Sequence, residues 1–300
     1  MRKRWLVISI AAALLLIAAV MIVNPAARTK YYFAVERQWA ADWPFTRGAA
    51  LPTRFRWLVR PTEPAWVQLE PGVTMLLDPE DYISRELLRT GTWERPSWDA
   101  IHAHLSDGAV FVDVGAHIGY YSLKAARVVG AAGRVIAVEP NPPTVHELEA
   151  NISASGATVV SVQPVACSDA ETTLDLFSSP RVNTGQTSLS RANASQGGRA
   201  VTTYHVRARP LDDIVTDTGV SRVDIVKIDV EGAEMLVLKG AARTLARYHP
   251  ALMVELIDAQ LRSMGTSEAE VRAFLQAQGY AARGVFQDNV EFDWEAAPRQ

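Results

Sequence analysis

From Val110 onward the chain alternates between two hydrophobic periods. Short apolar runs rich in β-branched residues read as strands: VFVDV (110–114), RVIAVE (134–139), TVVSVQPVA (158–166), VDIVKID (223–229) and ALMVEL (251–256). Between them, apolar residues recur at helical spacing over about Tyr120 to Val129, Pro143 to Ser153, Gly232 to Tyr248 and Glu268 to Gln278. Apolar strands alternating with amphipathic helices predict a parallel α/β sheet covered on both faces. The last stretch, YAARGVFQDNVEFDW (280–294), predicts a closing hairpin that adds an antiparallel edge strand.

Upstream the pattern is less regular. Residues 31–68 are rich in Trp, Arg and Pro, and six of the eight tryptophans fall between Trp39 and Trp98; Tyr31, Tyr32 and Phe33 could sit at a lipid interface, while from Trp57 onward packing on the main domain is expected. PGVTMLLDPEDYIS (71–84) predicts a short hairpin and turn, and RPSWDAIHAHL (95–105) a helix leading to the first core strand. Residues 178–200 are polar and rich in Gly and Ser, so a long loop separates two strands there; loops of that length are usually functional or mobile. No internal repeat is visible. The expected division is an anchor over 1–30, an extension over 31–100 and a catalytic domain over 101–300.

The anchor rests on the run from Trp5 to Val23, which contains no charge and follows Arg2, Lys3 and Arg4. As a helix it would extend roughly 28 Å, against about 30 Å of bilayer hydrocarbon. It is longer than the apolar core of a signal peptide, and NPAARTK after it is a poor cleavage site. A single uncleaved span is therefore expected, with the lipid bilayer as partner through residues 5–23; a cleaved signal is the alternative. Arg28, Lys30 and Arg37 beyond the span nearly balance the charges before it, so the positive-inside rule leans only slightly to a cytoplasmic N-terminus.

Composition narrows the chemistry. A net charge of −3 gives no basic field for nucleic acid. The single cysteine, Cys167, cannot form an internal disulfide, and no Cys/His spacing suits a metal.

In open α/β sheets ligands bind at the carboxyl ends of the strands. The first such turn reads Asp113-Val-Gly115-Ala-His117-Ile-Gly119. It is neither GxGxxG nor a P-loop, which disfavours pyrophosphate. An acid there would repel phosphate and suit an ammonium, which points to S-adenosylmethionine; the plainer reading is an Asp that caps the turn. Gly115 and Gly119 would let the backbone approach a ligand. His117 is either a base or a side chain packed over the turn. The second strand ends at Glu139, twenty residues after Gly119, where an acid can accept both hydroxyls of a ribose. Asn141 fits a helix cap better than a ligand contact. Asp169, after the third strand, could accept an adenine amino group or simply favour a turn. The fourth strand delivers Asp229, Glu231 and Glu234 to one turn; helix-dipole stabilisation alone could explain the two glutamates. The fifth delivers Glu255 to the same rim. Carboxylates converging there could orient a hydroxyl or take its proton. A divalent metal ranks second, because no histidine joins them.

Taken together, FVDVGAHIGYYSL, VIAVEPNP, SLS within the polar loop and above all VDIVKIDVEGAEMLVLKGA resemble the FkbM family of class I methyltransferases, over about residues 70–260. The resemblance implies a Rossmann-like α/β sheet of seven strands in the order 3-2-1-4-5-7-6. It implies S-adenosylmethionine as donor and O-methylation of a sugar or natural-product hydroxyl. Carried over by motif, Asp113, Gly115, Gly119, Glu139 and Asp169 would belong to the cofactor side, with His117 and Asn141 counted beside them as cofactor-binding candidates, and Asp229, Glu231 and Glu255 to the acceptor side. With the anchor, the expected acceptor is a small molecule or glycan at the membrane, such as a glycolipid or lipid-linked glycan. A cytoplasmic donor favours a cytoplasmic domain, against the slight lean of the flanking charges. Two other classes stay open: a nucleotide-dependent oxidoreductase, and a membrane-tethered scaffold that keeps the fold without the chemistry.

Overall fold

The computed structural model describes residues 62–179, 181–195 and 200–295. The apolar run Trp5–Val23 and most of the Trp-rich extension lie outside the described residues. Among the described residues no helix is long and apolar enough to cross a membrane. The chain divides into two compact units, Met1–Leu69 with Thr74–Thr92, and Glu70–Val73 with Trp93–Gln300. The helix α2 (Arg95–Ala103) therefore lies whole within the second unit, which begins earlier than residue 101.

A hairpin pairs β1 (Ala65–Glu70) with β2 (Val73–Leu77), so its first strand starts inside the segment expected to be irregular. The helix α1 (Tyr82–Thr90) follows, where only a turn was expected. Its signals are local. Asp81 accepts the Ser84 amide at 2.8 Å as N-cap, and Gly91 ends the helix in the left-handed region.

The second unit is built on β3 (Val110–Val114), α3 (Tyr120–Val129), β4 (Arg134–Val138), α4 (Pro142–Ser155) and β5 (Val160–Gln163). Next come β6 (Ala166–Cys167), β7 (Thr172–Ser178), α5 (Arg191–Ala194), β8 (Thr202–Arg209) and α6 (Leu211–Asp217). The chain closes with β9 (Ile225–Ile228), α7 (Glu234–Gly240), α8 (Ala242–Tyr248), β10 (Ala251–Glu255), α9 (Asp258–Ser263), α10 (Glu268–Ala277), β11 (Tyr280–Phe286) and β12 (Asn289–Trp294). Seven strands form one sheet in the order β5-β4-β3-β9-β10-β12-β11. Counted along the chain within the sheet, this is 3-2-1-4-5-7-6. All five residues of β3 and all four of β9 are buried, as expected for central strands covered on both faces.

Three expectations need correction. The antiparallel strand is β12, which inserts between β10 and β11, so the edge strand β11 runs parallel to the core strands. The run TVVSVQPVA does not make one strand. Val160–Gln163 joins the main sheet, and Ala166–Cys167 pairs with β8 in a separate sheet of order β6-β8-β7. The helix expected over 232–248 is two helices that break at Ala241. Gly240 packs so close to the Ser168 carbonyl that a Cβ would fall 2.0 Å from its oxygen.

Strand order reverses about β3. From there the chain steps outward through β4 to β5, then returns to start β9 on the other side. The crevice at the carboxyl ends of β3 and β9 is thus the topological switch point, where open α/β sheets bind ligands.

Candidate active site

The turn after β3 is fixed by the protein's own packing. Gly115 has φ +81°, and a Cβ would stand 1.8 Å from the Asp229 carbonyl oxygen. Gly119 has φ +91°, and a Cβ would meet Leu148 Cδ1 at 2.5 Å. Both positions are thus strained for any side chain, and Gly115 has backbone in the way as well, whatever the two offer a ligand. The amides of Gly115 and Ala116 donate to the Val138 carbonyl, which locks the turn to the end of β4.

Glu139 stands at that end, 6% exposed. Its Oε2 accepts the His117 amide and its Oε1 the Asn141 amide, each at 2.9 Å. Burial pushes its pKa up to about 7 against the two amides, which favour the charge. Each oxygen holds one amide and keeps a second acceptor site, as two adjacent hydroxyls require. The residues present therefore fit the ribose of S-adenosylmethionine.

Asp113 is fully buried within β3, and the ammonium it meets is the protein's own. Ser122 Oγ donates to its Oδ2 at 2.6 Å, and Lys227 Nζ lies 3.9 Å from Oδ1. The burial that raises its pKa is opposed by the Lys227 charge. Asn141 occupies the N-cap position of α4, but its side chain makes no cap. Its Nδ2 donates instead to Ser178 Oγ at 3.1 Å and Thr187 Oγ1 at 3.4 Å, in and beside the polar loop. His117 Nε2 lies 2.8 Å from Thr184 Oγ1, so the imidazole ties the turn to that loop, in line with the packed reading. Asp169 is exposed, in the turn after β6 and outside the main sheet.

The acceptor-side residues do converge. Asp229, Glu231 and Glu255 each bring one carboxylate oxygen within 4.8 Å of the other two. Lys227 Nζ donates to Asp229 Oδ2 at 3.0 Å, and Gln260 Nε2 donates to Glu231 Oε2. Glu255 Oε2 is buried and accepts from no described residue. Burial, and then the charge of Asp229, hold the carboxyls of Glu231 and Glu255 well above the usual range. Glu234 has a different task. Its Oε1 accepts the amides of Val230 and Gly232 at 3.2 and 3.1 Å and holds the turn that carries Glu231.

Sequence reasoning missed several partners. Lys227 is 2% exposed in an apolar strand and sits between Asp113 and Asp229, with its Nζ 5.1 Å from the centre of the Tyr121 ring. Glu94 accepts from Tyr121 Oη and Asn289 Nδ2, both at 3.0 Å. Burial, and then the charge of Asp229, raise its pKa. The only sequence signal for Lys227 is a lone cation inside IVKI.

The polar loop joins the two sides. Ser188 Oγ and Asn193 Nδ2 donate to the Glu231 carbonyl at 2.7 and 2.8 Å, and Ser263 Oγ donates to Asn193 Oδ1 at 2.8 Å. One stretch thus touches His117 and Asn141 near Glu139, and the carboxylate turn near Glu255.

A family model, the methyltransferase FkbM domain, matches residues 113–282, more than half of the chain. The AMB antimetabolite synthetase AmbE of Pseudomonas aeruginosa is 31% identical over 194 residues, which are 55% of this chain and 9% of that protein. The hexuronic acid methyltransferase AglP of Haloferax volcanii is 27% identical over 192 residues, 60% of this chain and 74% of that one. A crystal structure of an FkbM methyltransferase from Methylobacillus flagellatus is 17% identical, covers 71% of this chain and 62% of that one, and has a TM-score of 0.42. The chain belongs to the FkbM family of methyltransferases.

Proposed function

We propose that the protein O-methylates a hydroxyl of a sugar, glycolipid or lipid-linked glycan, with its catalytic domain on the cytoplasmic side of a membrane. The observation that carries this reading is the convergence of Asp229, Glu231 and Glu255 at the carboxyl ends of β9 and β10, beside the turn that Glu139 organises. A relative named for hexuronic acid methylation supports a sugar acceptor. The apolar run Trp5–Val23 supports an acceptor held at a bilayer.

S-adenosylmethionine, when bound, supplies an electrophilic methyl group. The protein's part is binding, orientation and proton removal. Glu139 would accept the ribose hydroxyls, while the Gly115–Gly119 turn shapes the floor. Lys227 fixes Asp229, and Glu234 fixes the turn of Glu231. Glu255 has an oxygen without a donor and is assigned the proton of the acceptor hydroxyl. Such general base help contributes roughly 10²–10⁴-fold.

The polar loop would cover the acceptor. Transfer of labelled methyl from S-adenosylmethionine to membrane glycolipid fractions tests the reading, with Asn193→Ala as the loop variant. Loss of the Asn193 tie to the Glu231 carbonyl should raise the acceptor KM about tenfold and leave donor affinity unchanged. Label that enters only protein or nucleic acid would overturn the acceptor class. An unchanged KM would remove the loop from acceptor binding.

A further inference from the structure

We propose that the carboxylate rim is a binding site for one divalent cation of the hard, oxygen-seeking class, with Asp229, Glu231 and Glu255 as ligands and the Asn289 amide oxygen beside them. The inference deepens the proposed function and rests on it for its role in catalysis, though not for the binding itself.

Three carboxylates each offer one oxygen, all within 4.8 Å of one another. Carboxylate and amide oxygens select Mg²⁺, Mn²⁺ or Ca²⁺ over softer metals. The arrangement around them is that of held ligands. Asp229 is tied through one oxygen to Lys227 Nζ at 3.0 Å, and Glu231 through one oxygen to Gln260 Nε2; each keeps a second. Outer partners of this kind orient metal ligands.

A separate observation points to a ligand. Asn289 is 1% exposed, and its Oδ1 is buried without a hydrogen-bond donor. Asn289 pairs with Glu255 across the antiparallel strands, so the two side chains stand next to each other on one face of the sheet. Glu255 Oε2 is buried without a donor as well. Orphaned acceptors are expensive, and two on neighbouring residues call for a group that accepts nothing. Lys227 is the cation paired with Asp229, and it is already shared with Asp113. An ion that takes one oxygen from each carboxylate leaves Glu255 a second for the proton.

The test is calorimetric titration of MnCl₂ into the full chain in detergent, followed by displacement with MgCl₂. One Mn²⁺ per chain is expected. Asp229→Asn and Glu255→Gln should each weaken it at least tenfold, and Asn289→Ala by a smaller factor, while S-adenosylmethionine affinity stays at the parent value. Mn²⁺ binding lost in these variants upholds the cation site even if S-adenosylmethionine does not bind, in which case the methyltransferase reading alone fails. No Mn²⁺ binding by a chain that binds S-adenosylmethionine overturns the site. Binding that survives both carboxylate substitutions and disappears in Glu291→Gln also overturns it, by moving the ion to the cluster of His104, Glu291 and Asp293.

Discussion

Glu255→Gln lowers turnover by about 10²–10⁴-fold and leaves the affinity for S-adenosylmethionine at the parent value. The substitution keeps shape and removes the ionisable carboxyl at the end of β10. Glu255 has no hydrogen bond to the glycine turn or to Glu139 among the described contacts, so the donor side is left as it was. A sugar hydroxyl is a weak nucleophile and needs its proton taken during transfer. Steady-state kinetics with a labelled donor reads the first part, and calorimetry reads the second. Turnover within threefold of the parent would take the proton away from Glu255. A fall in donor affinity of the same size as the fall in turnover would move Glu255 to the cofactor side.

Lys227→Met destabilises the fold by about 3–5 kcal/mol, the usual cost of breaking a buried ion pair by removing one partner. Lys227 is 2% exposed, and its ammonium faces Asp113 and Asp229 at 3.9 and 3.0 Å. Burial works against its charge, yet Asp229 and Asp113 more than offset that and raise its pKa. Methionine fills similar volume but leaves Asp113 fully buried beside Ser122 alone. Urea unfolding measures the loss. Adding Asp113→Asn to Lys227→Met should recover part of it, because the stranded charge is then gone. A loss under about 1 kcal/mol would mean that the β3–β9 seam does not depend on this pair.

Much of the fold was legible because it is written in periodicity. The runs around Val112, Ile136, Val226 and Val254 can only be central strands, and the helix over Tyr120 to Val129 has the predicted bounds. What failed was set by contacts distant in sequence. Nothing near Gly240 announces that it must clear the Ser168 carbonyl, so the break at Ala241 was hidden. The helix at Tyr82 had its own signals, Asp81 and Gly91, but the proline and acids before it read as a turn. The same division holds at the site. Glu139 and the carboxylate rim follow from strand ends. The tie from Asn193 to the Glu231 carbonyl and the inward turn of Asp113 toward Lys227 follow from packing between elements, which a single sequence does not display. The composition of the polar loop gave away its existence. Its anchors at Asn141 and Glu231 were not visible.

Glu139 and the turn it organises form the proposed seat of S-adenosylmethionine. Its most direct test is calorimetry of S-adenosylmethionine with the full chain and with Glu139→Ala, at pH 8, where a group with a pKa near 7 is mostly ionised. Micromolar binding by the parent chain is expected. Binding by the variant is expected to be weaker by about 10²–10⁴-fold, since two hydrogen bonds to a charged group are lost at about 1.5–3 kcal/mol each. A folded parent chain that binds no S-adenosylmethionine, or a variant that binds it as tightly as the parent, would take the cofactor away from this turn.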